Sequence, residues 1–89
     1  MNDQYDEVRM PEHKVVLFSQ PGCQLCRTEK GWLAQRGVPF AERDIVADET
    51  AYAELERRGV LSTPVTLIDG EAVLGFDPKK LTSLLGLSR

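Results

Sequence analysis

Cys23 and Cys26 are the only cysteines in the 89-residue chain, and two residues separate them. In disulfide exchange the thiolate, not the thiol, is the nucleophile. A cysteine with the ordinary pKa of about 8.5 is only about 3% ionised at pH 7, whereas one with a pKa near 6 would be about 90% ionised. The surroundings of Cys23 can supply such a shift. Gln20, Pro21 and Gly22 break an apolar run, and from Cys23 to about Arg36 the composition turns to helix formers. A helix that begins at Pro21, Gly22 or Cys23 aims unpaired amides and the positive end of its dipole at the Cys23 sulfur, and both favour the anion. Arg27 and Lys30, one and two turns further on, add to that field. Cys26 shares the same helical face and can attack a mixed disulfide on Cys23, so the pair forms a two-electron switch.

Other uses of two cysteines fit less well. A disulfide closing so short a loop stabilises by only about 2 kcal/mol on the loop-entropy model. A zinc site needs four ligands, and the one other soft donor is His13, which reads more simply as a polar residue flanking a strand. An inert buried pair has no reason to sit behind Pro-Gly at a helix start. The secreted disulfide-scaffold class calls for more cysteines, and residues 1–12 carry no apolar leader, so a reducing, cytoplasmic setting is expected. The longest apolar run, Val15 to Phe18, is far short of a membrane span. A net charge of −3 argues against nucleic acid as a partner. That charge sits in residues 1–12, where Asp3, Asp6, Glu7 and Glu12 face Arg9; the remaining residues balance.

The elements that must hold the pair follow from pattern. The length allows one small domain. Residues 1–12 read as a mobile acidic tail and residues 13–89 as the domain. His13 to Ser19, with Val15-Val16-Leu17-Phe18, predicts a central strand covered on both faces. The first helix runs from Cys23 to about Arg36, with Leu25, Glu29, Trp32, Leu33 and Arg36 at helical intervals and Gly37 past its end. Val38 to Ile45 predicts a second strand. Asp48 caps a helix from Glu49 to Arg58 that carries Ala51, Tyr52 and Leu55 inward and stops at Gly59. Val65 to Ile68 forms a third strand, and Asp69-Gly70 turns it into Ala72 to Leu74. Asp77 caps a last helix with Pro78 at N1 and Leu81, Leu84 and Leu85 as its stripe. The order is β-α-β-α-β-β-α, a mixed four-stranded sheet. Two helical crossovers imply two parallel pairings, and the hairpin adds an antiparallel edge. Chemistry in such sheets gathers where the first strand feeds the first helix. Trp32, Phe18 and Phe40 read as core, and Phe76 as rim or core alike. Lys79 and Lys80 oppose the dipole of the last helix and could mark a patch for an anionic partner.

Residues 14–86 resemble glutaredoxins and glutaredoxin-like redoxins of the thioredoxin fold. The resemblance is carried by Val15-Val16-Leu17-Phe18-Ser19-Gln20-Pro21-Gly22-Cys23-Gln24-Leu25-Cys26, then Ser62-Thr63-Pro64-Val65, then Gly75-Phe76-Asp77-Pro78. It implies a thiol-disulfide oxidoreductase with Cys23 as nucleophile, Cys26 as resolving cysteine, and a cis Thr63–Pro64 bond beside the disulfide. It also implies that Gln20, Pro21, Gly22, Gln24, Leu25, Thr63, Pro64, Val65, Gly75, Phe76 and Asp77 surround the substrate or glutathione. Glutathione-binding members carry a basic residue where Gln20 stands and a Gly-Gly turn where Leu74-Gly75 stands, and Pro-Tyr is usual where this chain has Gln24-Leu25. These departures leave two reductants open, glutathione and thioredoxin reductase. The implied substrates are protein disulfides, ribonucleotide reductase among them, with no bound cofactor, no metal and a monomeric state. The alternative the family offers is a module sharing a [2Fe-2S] cluster through Cys23 and glutathione.

Overall fold

The computed structural model describes residues 13–87, so the acidic segment 1–12 and the last two residues lie outside it. The first strand, β1 (Val15–Ser19), owes its central position to its continuous apolar run: both faces need cover, and both receive it. Helix α1 (Gln24–Gln35) follows, then β2 (Ala41–Asp44), α2 (Glu49–Arg58), β3 (Val65–Ile68), β4 (Glu71–Leu74) and α3 (Pro78–Leu85). The sheet order is β2-β1-β3-β4.

Alternation along the strands divides the core in two. Val15, Ile68 and Val73 pack with Leu33 of α1 and with Leu81 and Leu85 of α3 on one face. Phe18, Val65 and Leu67 pack with Ile45 and with Ala51 and Leu55 of α2 on the other. Helix boundaries follow local chemistry. The Asp48 side chain accepts from the amides of Thr50 and Ala51, and the Asp77 side chain accepts from Lys80 N. At the end of α1, Gly37 N donates to Ala34 O and Val38 N to Leu33 O, a Schellman closure. That closure explains why β2 starts only at Ala41: the Val38 amide is already committed to α1. Val38 and Phe40 instead pack against the α1 and α3 core.

The hairpin between β3 and β4 has positive φ at both Asp69 (52°) and Gly70 (90°), the conformation that Asp-Gly favours. His13 Nδ1 lies 2.6 Å from Asp69 Oδ2, and Lys14 N donates to Asp69 Oδ1 at 2.9 Å. His13 therefore ties the hairpin to the start of β1, at the opposite end of that strand from Cys23. Among the described residues no group of three or more His, Cys, Asp or Glu side chains is placed to hold a metal.

One expectation about direction is corrected. β1 and β2 are parallel, with Ser19 opposite Asp44, but β3 runs antiparallel to β1, with Phe18 opposite Val65 and Val15 opposite Ile68. The second helical connection therefore returns the chain to the sheet end it left. Helix α2 advances about 15 Å over its ten residues. The segment from Gly59 to Pro64, which contains no helix or strand, carries the chain back to that end. Two side chains also point differently from the helical pattern: Leu25 and Tyr52 are exposed.

Leu55 has no solvent exposure and lies on the face of the sheet away from α1. Leu55→Ala should lose about 2–5 kcal/mol in urea unfolding while leaving thiol exchange by the folded protein unchanged; a loss under about 1 kcal/mol would contradict this account of the core.

Candidate active site

Pro21 and Gly22 occupy the middle of a tight turn in which Cys23 N donates to Gln20 O at 3.3 Å. Gly22 has φ +80°, which suits the third position of a type II turn, and Pro21 suits the second. This turn converts β1 into α1 and makes Cys23 the helix N-cap. Its side chain accepts from Cys26 N, 3.1 Å from Sγ. Cys23 and Cys26 form a disulfide with Cα atoms 5.2 Å apart. The two sulfurs differ in environment: Cys23 is partly exposed, whereas Cys26 is 2% exposed and faces the core. An N-cap sulfur in this position meets the amide donors and helix dipole that stabilise a thiolate.

The opposite side of the site comes from β3. The Thr63–Pro64 bond is cis, and the Pro64 carbonyl accepts from Gly75 N at 2.9 Å. Gln20 Nε2 donates to Thr63 Oγ1 at 3.0 Å, which joins the two halves. A recess of about 250 Å³ runs beside the disulfide, bordered by Ser19, Gln20, Cys23, Cys26, Lys30 and Glu42. Within it Glu42 Oε2 accepts from Ser19 Oγ at 2.7 Å and from Lys30 Nζ at 2.9 Å. The Ser19 hydroxyl, then the Lys30 ammonium, hold the Glu42 carboxyl below the usual carboxylate range.

The other expected residues are placed as follows. Leu25 projects outward at 51% exposure beside the cysteines. Gln24 Oε1 accepts from Arg27 Nη2 at 2.6 Å. Val65 opens β3, but its side chain is buried in the core on the α2 face. Phe76 meets Trp32 edge-on, with ring centroids 6.2 Å apart, and Asp77 caps α3. Lys79 borders a separate depression with Trp32 and Arg36, and Lys80 Nζ donates to Ala72 O at 3.2 Å, so neither lysine joins Arg27 and Lys30 in the recess beside the disulfide.

Glu29 was the residue whose environment the sequence did not convey. It is 0% exposed on the inward face of α1 that also carries Cys26 and Leu33. The Thr66 hydroxyl of β3 donates to Glu29 Oε2, and among the described residues Oε1 has no hydrogen-bond partner. Burial pushes the Glu29 carboxyl above its ordinary pKa, and the Thr66 hydrogen bond opposes this in part. A carboxylate on an otherwise apolar stripe was the available signal.

Comparison with known proteins bears on this geometry. A glutaredoxin family model matches residues 15–73, which span the cysteine pair and Pro64. The chain belongs to the glutaredoxin family. It is 30% identical to the Gene 56 protein of Mycobacterium phage L5 over 73 residues, 80% of this chain and 71% of that protein. The global transcriptional regulator Spx of Staphylococcus aureus is 35% identical over 43 residues, 48% of this chain and only 33% of Spx. The crystal structure of the thioredoxin-like protein BC3987 superposes with a TM-score of 0.76 at 37% identity, covering 81% of this chain and all of that one. The mixed sheet with three helices is thus the glutaredoxin-like form of the thioredoxin fold.

The raised pKa of Glu29 links stability to pH with a definite sign. Folding favours its protonated form, so its contribution is fully present below the unfolded value of about 4.3 and is lost as pH rises through the folded pKa. The stability of Glu29→Gln relative to the parent should therefore increase from about pH 4 upward. Urea midpoints across that range test this; a constant difference would show that Glu29 is not perturbed.

Proposed function

We propose that this glutaredoxin-family chain reduces disulfides of other proteins by a dithiol mechanism. The observation that carries the reading is the inequivalence of the two sulfurs: Cys23 caps a helix and is accessible, while Cys26 is buried behind it. In the reduced protein the Cys23 thiolate attacks a substrate disulfide. One substrate sulfur leaves as a thiolate, and the other is held in a mixed disulfide. Cys26 loses its proton and attacks Cys23 Sγ, which releases the second substrate thiolate and forms the Cys23–Cys26 disulfide. Two electrons pass to the substrate. The Thr63–Pro64 segment supplies backbone groups for an extended substrate strand, and exposed Leu25 offers an apolar contact next to the reacting sulfur.

Regeneration takes two electrons from a dithiol donor or from two glutathione molecules. Gln20 in place of a cation weakens the case for binding a glutathione carboxylate and favours a thioredoxin-reductase-type flavoenzyme in a reducing compartment. NADPH consumption should accordingly be faster with thioredoxin reductase than with glutathione plus glutathione reductase. The reverse order would assign the chain to glutathione, and activity with neither would refute the reductase reading. Cys23→Ser should abolish turnover under both regimes. Cys26→Ser should abolish protein-disulfide reduction while still allowing a stable mixed disulfide to form on Cys23. Thiolate absorbance should place the Cys23 titration clearly below the ordinary 8.5.

A further inference from the structure

The dithiol mechanism leaves one step without an agent. Cys26 must lose a proton before it attacks, yet it is 2% exposed, so bulk water has little access to its sulfur. Glu29 lies three residues further along α1 on the same inward face and is itself fully buried. Residues at this spacing have Cβ atoms about 5–6 Å apart. Helical side chains lean toward the N-terminus, which carries the Glu29 carboxyl back over the turn of Cys26. Thr66 holds one carboxyl oxygen, and the other has no partner among the described residues. Thr66 is two residues beyond Pro64 and lies opposite Leu17 of β1.

We propose that Glu29 exchanges a proton with Cys26 during disulfide exchange, its free oxygen Oε1 serving as acceptor in the resolving step. The inference rests on the dithiol reading above. In resolution the Cys26 thiol gives its proton to the Glu29 carboxylate, and the sulfur's electron pair forms the bond to Cys23 Sγ as the substrate thiolate departs. In regeneration the donor thiolate attacks Cys23 Sγ, the Cys23–Cys26 bond breaks, and the departing Cys26 thiolate takes the proton back from the Glu29 carboxyl. The proton stays inside the core while two electrons cross.

The surroundings of Glu29 suit a proton carrier. Of the groups around it, Lys30 on α1 is paired with Glu42 of β2, Glu42 also accepts from Ser19 of β1, and Thr66 of β3 is neutral. Facing α3 residues in this core, Leu81 and Leu85, are apolar. Among the described residues no ion pair fixes the Glu29 charge, and its raised pKa moves it toward the neutral range in which a general base works best.

The test uses the reduced full chain and an aryl disulfide that releases a coloured thiolate, followed in a stopped-flow spectrometer. The first thiolate reports attack by Cys23 and the second reports resolution by Cys26. In the parent the second phase should rise with pH through the Glu29 titration and then level off. In Glu29→Gln the second phase should slow at pH 7 by at least about tenfold and then climb roughly tenfold per pH unit, because only the spontaneously ionised Cys26 reacts. The first phase should be unchanged. Thr66→Val, which removes the opposing hydrogen bond, should shift the midpoint of the second phase to higher pH and supplies the test if Glu29→Gln does not fold. Second-phase profiles that superimpose within about twofold across parent and variants would overturn the role of Glu29 while leaving the dithiol reading intact. Absence of a second phase in the parent would overturn both.

Discussion

The hydrogen bond from Cys26 N to Cys23 Sγ is the contact on which the site depends. It exists because Cys23, rather than a neighbour, is the N-cap at which α1 begins. A helix starting one residue later would turn that amide elsewhere and leave the sulfur against ordinary solvent. The Gln20–Gly22 turn therefore has to close in one way, and a proline followed by a glycine with positive φ achieves this. β1 in turn needs to be central, because a strand held on both sides and covered on both faces gives the turn a rigid base.

Features set by neighbouring residues were legible in the sequence, and features set by packing were not. Cys23, Asp48 and Asp77 act as N-caps because each side chain meets amides two or three residues away, and Asp69-Gly70 makes the hairpin because that pair accepts positive φ. The direction of β3 is different. Helical crossovers suggest parallel strands, but the Gly59–Pro64 segment reverses the displacement of α2, and nothing local marks that return. Its consequence is that β3 begins beside the carboxyl end of β1, which brings Thr63 against Gln20 in the turn before the cysteines. A parallel β3 would have started at the far end of the sheet.

Side-chain direction on helices shows the same division. Leu25 and Tyr52 satisfy a helical period yet face solvent, while Glu29 satisfies it and is fully buried. Period alone cannot rank positions on the shoulder of an apolar stripe, where a turn of one residue decides between core and solvent. Glu29 falls inside because Thr66 across the sheet offers a hydroxyl, and one hydrogen bond is only partial compensation for a buried carboxyl. A leucine in that position would be the ordinary choice for stability. Retaining an ionisable group there is a sacrifice of stability that structural support for the fold does not explain.

Charge adds a last constraint. The net −3 belongs to residues 1–12, and the rest of the chain is formally neutral. Of its basic side chains, Lys30 pairs with Glu42, Arg43 with Asp48 and Glu54, and Arg36 lies over the Trp32 ring. Ion pairs of this partly exposed kind are weakened by salt and solvent. Beside Cys23, Lys30 is neutralised by Glu42, and Arg27 bonds the neutral Gln24 amide. The donor seen at the sulfur is a backbone amide at the start of α1, Cys26 N, at the positive end of the helix dipole. Lys30, held by Glu42, adds little net charge, so the place where the helix begins matters more to the environment of the Cys23 sulfur than that lysine does.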